Sequence, residues 1–454
     1  MVEFSKLTPA ELIASDGFKC DCGAIHATTG LKIIKMGRGV SSEVGKVLGE
    51  LGLSRPFVVT DKNEYEAAGK KVIQILDEQG IPYVLHIIPC AEGKRIAPSE
   101  FAVGSIALNF DTTCDCFLCV GSGVMNDLCK VLSSITGKPS VVVATAPSMD
   151  GYASDSSAME VNNLKLSLKE VIPAALICDV DIMANAPMHM LHAGLGDMMG
   201  KFSALSEWRI VKLLFNEHYC AETAALVHTS LDKIVNASRG VPSRDIEAIE
   251  AISEGLILSG IAMAFVGHSR PASGLDHYFS HCWEMMALAR GEESDLHGIQ
   301  VGVGTILTLK LYEHLLTITP TMERAIAAAD AFDQSAWEAN VRRVFGDTAE
   351  DILARAKAEN KNDRAARLAR AEKIISNWDA IKVIAKETPS SAEIESIMRG
   401  AGMPITYTDI GVSKQDVIDA FICSRDVRAK YQLSTLLWDI GYMDEFAAWL
   451  EGEI

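Results

Sequence analysis

The run Asp115-Cys116-Phe117-Leu118-Cys119-Val120 leads straight into Gly121-Ser122-Gly123, and this junction decides the fold class. Five consecutive apolar side chains predict a short strand buried on both faces. A helix is predicted near 125–135, then another apolar strand, Ser140–Ala144. Upstream the same alternation holds. Residues 31–36 read as a strand, Gly37-Arg38-Gly39 as its turn and 41–52 as a helix. The strand Pro56–Thr60 ends at Asp61, and a helix over 64–79, a strand over 82–88 and a helix near 99–110 follow. This β-α-β-α rhythm predicts a parallel sheet with helices on both faces.

Beyond about residue 180 the β-like runs stop, and helical spacing takes over in 219–236, 246–266 and 276–289. The expected organisation is therefore an α/β nucleotide-binding domain over 1–180 and an all-helical metal- and substrate-binding domain over 181–454. Residues 322–385 read as charged, solvent-facing helices, 387–414 as a stretch of Pro, Ser and Gly breakers, and 415–449 as two final helices.

A strand, then Gly-Ser-Gly, then a helix is the arrangement that cradles phosphate: the backbone approaches closely and the first N–H groups of the helix face the anion. The same pattern also reads as a tight turn, because the six-residue dinucleotide fingerprint is absent. Asp61 would accept hydrogen bonds from an adenosine ribose and repel a 2′-phosphate, favouring NAD over NADP, or it caps a helix. Thr145-Ala146-Pro147-Ser148-Met149-Asp150-Gly151-Tyr152-Ala153-Ser154 follows a strand at its carboxyl end, where open α/β sheets bind ligands.

Three stretches of the helical part hold carboxylates and imidazoles. They are Gly194 to Lys201 around Asp197, Ser269 to His281, and His297 to Thr305. His277 and His281 are spaced i, i+4 and share a helix face. Four of the eleven histidines, His268, His277, His281 and His297, fall within thirty residues. One carboxylate with imidazoles suits a divalent cation with an open position for substrate, although each histidine alone reads as well as a surface or core residue.

The net charge of −18 excludes a protein that tracks nucleic-acid phosphates with a basic face. Eleven cysteines, an odd and scattered set behind a polar N-terminus, predict reduced thiols of a cytoplasmic protein. No apolar run predicts a membrane span. Cys20-Asp21-Cys22 with His26 looks like half of a zinc site, but one fragment supplies three ligands, and a structural thiol cluster is the expectation.

GSGVMND (121–127), TAPSMDGYAS (145–154), GLGDMMGK (194–201), SRPASG before His277 and His281, and the HG-x-x-V-G-x-G-T run from His297 occur in this order. Together they resemble the sn-glycerol-1-phosphate dehydrogenase family, within the wider group of metal-dependent alcohol dehydrogenases, glycerol dehydrogenases and dehydroquinate synthases. The resemblance extends from about residue 15 to the tail PITYTDIGVSKQDVIDAFICSRDVRAKYQLSTLLWDIG (404–441). It implies an active site between the two domains. It also implies NAD(P)-dependent interconversion of dihydroxyacetone phosphate and sn-glycerol 1-phosphate, in phospholipid metabolism.

Carried over by position, Asp197, His277 and His297 would hold one zinc, nickel or iron ion. Asp197 and His281 would be catalytic, and Asp150, Asp197 and His281 would contact substrate. Asp61, Gly121, Gly123, Val124, Met125, Asn126, Asp127, Thr145, Ala146, Pro147, Ser148 and Ser154 would contact NAD or NADP. Lys201 and Arg270 are candidate phosphate partners that read equally as structural cations. The family pattern also implies a homo-oligomer. An unphosphorylated polyol such as glycerol is the alternative substrate. A dehydroquinate-synthase-like cyclase and a nucleotide-binding regulator are the rival classes. Gly-Ser-Gly stands where three glycines are common, and Leu275-Asp276 stands where Ala-Glu is usual.

Overall fold

The structure, a computed structural model, describes residues 2–15, 17–28, 30–90, 95–161 and 164–454. The chain divides into two compact units, Met1–Met198 with Cys220–Ser269, and Met199–Tyr219 with Arg270–Ile454.

Among the described residues all ten strands lie in the first unit: β1 (Phe18–Lys19), β2 (Ile25–His26), β3 (Ile33–Gly37), β4 (Pro56–Asp61), β5 (Val84–Ile88), β6 (Cys116–Gly121), β7 (Ser140–Ala144), β8 (Ser156–Val161), β9 (Leu164–Lys169) and β10 (Ala175–Asp179). Six of them form one sheet in the order β3-β10-β7-β6-β4-β5, and every pairing is parallel. The predicted parallel sheet is thus present. Strands β6, β7 and β10 are buried along their whole length, as runs covered by helices on both faces must be. Val44, Val47, Leu48 and Val72 from the covering helices pack against Val58, Leu118, Val141 and Ile177 of the sheet.

The chain steps outward from β4 to β5, then returns across β4 to lay down β6 on its other side. The carboxyl ends of β4 and β6, Asp61 and Gly121, therefore flank the point where strand order reverses. Crevices in open α/β sheets form at such a point. Five strands, β1, β2, β8, β9 and β10, are not anticipated by the sequence reading. β1 with β2, and β8 with β9, pair antiparallel as ribbons of their own, and β10 inserts between β3 and β7.

Among its described residues the second unit has helices and connecting loops and no strand. Its helices over 322–385 are not simply solvent-facing. Each buries a stripe, with Ala325, Val341, Phe345, Ile352, Ile374 and Ile381 inside, because alanine-rich helices still need one apolar face to dock. The stretch 387–414 holds the helix Ser391–Gly400, and the tail folds as three helices, Lys414–Cys423, Leu433–Asp439 and Met443–Glu453, rather than two. In the first unit the helix Ile246–Val266 is long and apolar enough to cross a membrane. However, 67% of its most apolar window is buried in the protein, which is the pattern of a core helix.

Candidate active-site residues

In the first unit Gly121-Ser122-Gly123 joins β6 to the helix Gly123–Thr136. Ser122 is the N-cap residue, yet its hydroxyl does not cap the helix. Instead its N–H and its Oγ–H both donate to Glu64 Oε1, each at 2.6 Å. A carboxyl group thus sits where the turn offers its donors to an anion. Burial and the nearby Asp61 push Glu64 up to about 8, against the pull of the two Ser122 hydrogen bonds. Asp61 itself caps the helix that follows β4, accepting from Glu64 N–H at 2.7 Å. Val124, Met125, Asn126 and Asp127 lie on the first turn of the helix after the glycines. Asn126 Nδ2 donates to Gly151 O at 3.4 Å, and Asp127 Oδ2 accepts from Ala158 N–H at 3.1 Å.

Thr145 to Ser154 runs from the end of β7 and is fixed on several sides. Tyr152 donates to Ala146 O at 2.8 Å. Ser259, from the helix Ile246–Val266, donates to Asp150 Oδ2 at 2.8 Å, and Asp150 N–H donates to Asp197 Oδ2 at 3.0 Å. Two of the predicted substrate residues, Asp150 and Asp197, are therefore neighbours. A Cβ on Gly194 would lie 1.9 Å from Pro147 O, so only glycine lets the helix Met188–Met199 come this close to the loop. Lys130, wholly buried one helix face below, donates to Gly151 O at 2.5 Å and Ser156 O at 3.0 Å, and it reaches Ser154 Oγ at 3.4 Å. Burial lowers its ammonium's pKa against the opposing pull of Asp127. The sequence reading gave Lys130 no role. Its one signal was a lone cation inside an otherwise apolar stretch, Cys129 to Leu132.

In the second unit the helix Leu275–Arg290 carries Asp276, His277, His281 and Glu284, and the helix Leu315 closes begins with His297. His277 Nδ1 is hydrogen bonded to Asp276 Oδ1, and Ser203 Oγ donates to Asp276 Oδ2. Burial alone would raise the Asp276 carboxyl. His277, the Ser203 hydroxyl and the Lys201 ammonium together hold it below the usual range. Glycines make this packing possible: a Cβ on Gly200 would lie 2.8 Å from Asp276 Oδ1 and 3.1 Å from the His277 ring, and one on Gly304 would lie 2.6 Å from Asp276 O.

His281 Nδ1 and His297 Nδ1 each lie 3.4 Å from a different oxygen of Glu284. His297 Nδ1 also contacts Ser280 Oγ at 2.9 Å. The ring of His297 is 5.4 Å from that of His277 and 5.2 Å from that of His281. One donor atom from each of His281, Glu284 and His297 lies within 4.8 Å of the others, a spread compatible with a cation. All three histidines thus have Nδ1 turned to a carboxylate. That arrangement fixes the ring orientation and would leave Nε2 to face a cation. Burial, with the Arg428 guanidinium nearby, pushes His281 well below its ordinary value. The sequence reading did not single out Glu284, although its i+3 spacing from His281 was there to see. Arg270 is bidentate to Glu217 at 2.7 Å and donates to Tyr431 O, which makes it a structural cation.

Over 308 residues the chain is 33% identical to glycerol-1-phosphate dehydrogenase [NAD(P)+] of Halalkalibacterium halodurans, an alignment covering 68% of this chain and 76% of that protein. The chain belongs to the glycerol-1-phosphate dehydrogenase family. The Bacillus licheniformis member is 26% identical over 91% of this chain and 90% of its own, and the Methanosarcina barkeri member is 31% identical over 62% and 76%. Residues 35–187 match the family model for iron-containing alcohol dehydrogenases. The fold is that of glycerol dehydrogenase from Schizosaccharomyces pombe (TM-score 0.59, 14% identity, 94% of this chain and 92% of that one). A probable glycerol dehydrogenase from Sinorhizobium meliloti 1021 shares it too (TM-score 0.59, 15% identity, 93% and 99%).

Proposed function

We infer that this chain is an oxidoreductase that interconverts dihydroxyacetone phosphate and sn-glycerol 1-phosphate with NAD(P)H and NAD(P)+. The observation that carries the reading is the family membership together with three histidines, each backed by a carboxylate. We propose that residues 1–180 hold the dinucleotide and that 181–454 supply the metal- and substrate-binding groups. We propose Asp197, His277 and His297 as the ligands of one divalent cation, with Asp276 and Glu284 orienting the imidazoles from behind. Nitrogen and oxygen donors suit zinc, nickel or iron alike. A cation held there would supply Lewis acidity at the substrate's C2 oxygen.

The residues of the chain have separable tasks. The Gly121–Asp127 turn and Thr145–Ser148 with Ser154 would seat the dinucleotide, with Asp61 beside the ribose. Asp150, fixed by Ser259, would hold a substrate hydroxyl. His281, kept neutral, would accept the C2 hydroxyl proton in the oxidation direction, and Glu284 would stabilise the imidazolium formed. The hydride balances the equation: it passes from C2 to the nicotinamide as the hydroxyl becomes a ketone, and it returns in the reduction direction. Arg428, whose charge reaches His281, is a better candidate for the substrate phosphate than Arg270, which is committed to Glu217. Eleven cysteines, none of them in a disulfide, support a reducing, cytoplasmic setting, and the family pattern suggests a homo-oligomer.

The test is NADH oxidation with dihydroxyacetone phosphate, before and after chelation and with Zn²⁺, Ni²⁺ or Fe²⁺ restored. Metal-restored turnover with the phosphate, and none with dihydroxyacetone, supports the reading. Turnover with dihydroxyacetone alone moves the assignment to an unphosphorylated polyol. A fully active, metal-replete His277→Ala protein would sink the ligand assignment.

A further inference from the structure

We propose that Cys20, Cys22, His26 and Cys220 form a closed, four-ligand structural zinc site, separate from the catalytic centre. Donor atoms of all four residues lie within 4.8 Å of one another. The sequence fragment alone supplies three ligands. The fold supplies the fourth, Cys220, from 200 residues away, with its Sγ 3.6 Å from that of Cys20. Tetrahedral zinc with Zn–S bonds of about 2.3 Å places two sulfurs about 3.8 Å apart. Cys22 Sγ lies 3.1 Å from His26 Nε2. A cation between them would open this pair by roughly half an ångström, since Zn–N is about 2.0 Å.

Local structure places the ligands. Strands β1 and β2 pair antiparallel with Phe18 opposite His26, and the turn between them holds both cysteines. Gly23 N–H donates to Cys20 O at 3.0 Å with Gly23 at φ +88°, a conformation that favours glycine. His26 is wholly buried, and its Nδ1 lies 2.8 Å from Phe265 O. A carbonyl only accepts, so Nδ1 carries the proton and Nε2 presents its lone pair to the thiols. The same outer bond orients zinc-binding histidines generally.

Cys220 is the N-cap residue of the helix Ala221–Ala237, and its Sγ accepts from Thr223 N–H at 3.4 Å. Burial pushes the Cys220 thiol up to about 12 against the pull of this Thr223 donor, and a bound cation would offset that burial. The rings of Phe4 and Phe265 stand 5.5 and 5.7 Å from that of His26, giving the apolar surround of a closed site. Three thiols would give up their protons to the solvent as one Zn²⁺ binds, and the imidazole would bind neutral, so uptake strengthens with rising pH. No coordination position remains for substrate, which makes the role structural. The ion would fasten the first twenty-six residues to the start of one core helix and, through Phe265, to the end of another.

The experiment is Co²⁺ substitution of the full-length chain, purified anaerobically, with metal content measured by plasma mass spectrometry. Thiolate-to-cobalt charge transfer in the near ultraviolet reports sulfur ligands, and the proposed catalytic set contains none. We expect the band in the wild-type protein and in His277→Ala, with one zinc per chain retained in the latter. Cys22→Ser and Cys220→Ser should each lose both. Where those variants fail to fold, wild-type protein decides: alkylation of Cys20 and Cys22, mapped by mass spectrometry, should accelerate at least tenfold on chelation. A folded, reduced protein that shows no band with Co²⁺, or thiols indifferent to chelation, would overturn the proposal. So would a Cys20–Cys220 disulfide in the anaerobic preparation.

Discussion

Replacing Glu64 by Gln should flatten the dependence of this protein's stability on pH. The carboxyl is held at about 8 in the folded chain against an ordinary 4.5, chiefly by burial and then by Asp61. Its charged neighbour is Asp61. Cys119 and Tyr152, which also face it, are themselves pushed well above their ordinary values by burial and stay neutral. A raised carboxyl contributes stability that is complete below the unfolded value and is lost as pH rises through the folded one. Between about 4.5 and 8 the folded chain therefore holds one proton more than the unfolded chain. Each pH unit in that window costs about 1.4 kcal/mol, so the whole span is worth on the order of 5 kcal/mol. Glutamine keeps an oxygen for the Ser122 N–H and Oγ–H and never ionises. Urea denaturation of both proteins from pH 6 to 8 should show the wild type losing about 2 kcal/mol relative to Glu64→Gln. Curves that stay parallel within about 0.5 kcal/mol would refute the account of a neutral carboxyl lodged in the glycine turn.

The same group should govern dinucleotide binding, because an ionised Glu64 repels a phosphate approaching Ser122. NADH titrations by fluorescence should find wild-type affinity falling several-fold between pH 7 and 9, with Glu64→Gln unaffected. Asp276→Asn removes the charge that orients His277 and should weaken cation binding by roughly 10- to 100-fold in a chelator competition, with the fold retained. Gly194→Ala places a methyl against the Pro147 carbonyl, a backbone atom that cannot swing away. It should cost about 1–3 kcal/mol of unfolding free energy in urea denaturation and lower dinucleotide affinity with it.

The parallel sheet was legible because β4, β6 and β7 are short, apolar and bounded by turns, and burial on both faces demands that composition. The ribbon β8–β9 was not: Ser156–Val161 carries no clear alternation, and the alternation of Leu164, Leu166 and Leu168 with polar residues in its partner was passed over because it is antiparallel and lies outside the βαβ rhythm. The histidines announced themselves by clustering, but Glu284 did not, because a glutamate on a helix ordinarily faces water. Periodicity reports neighbours within one element, and Cys220 reaches Cys20 only through tertiary folding. Glu64 was hidden for the same reason: nothing local indicates that a helical carboxylate turns inward to a glycine turn on another strand. The helices over 322–385 were misjudged because charge dominates their composition, while Arg367 is in fact buried over the ring of Trp438 at 3.9 Å.

The loop Thr145–Ser154 is wedged between the Met188–Met199 helix, which meets it at Gly194, and the core helix that sends Ser259 to Asp150. Laboratory evolution aimed at the cofactor contacts proposed for this loop would therefore work against the loop's own packing. Variants there would be filtered by expression before they were sampled for activity. Productive libraries should start instead at the carboxyl end of β4, at Lys62, which is exposed and whose replacement displaces no backbone, while Asp61 is kept as the cap of the helix that follows.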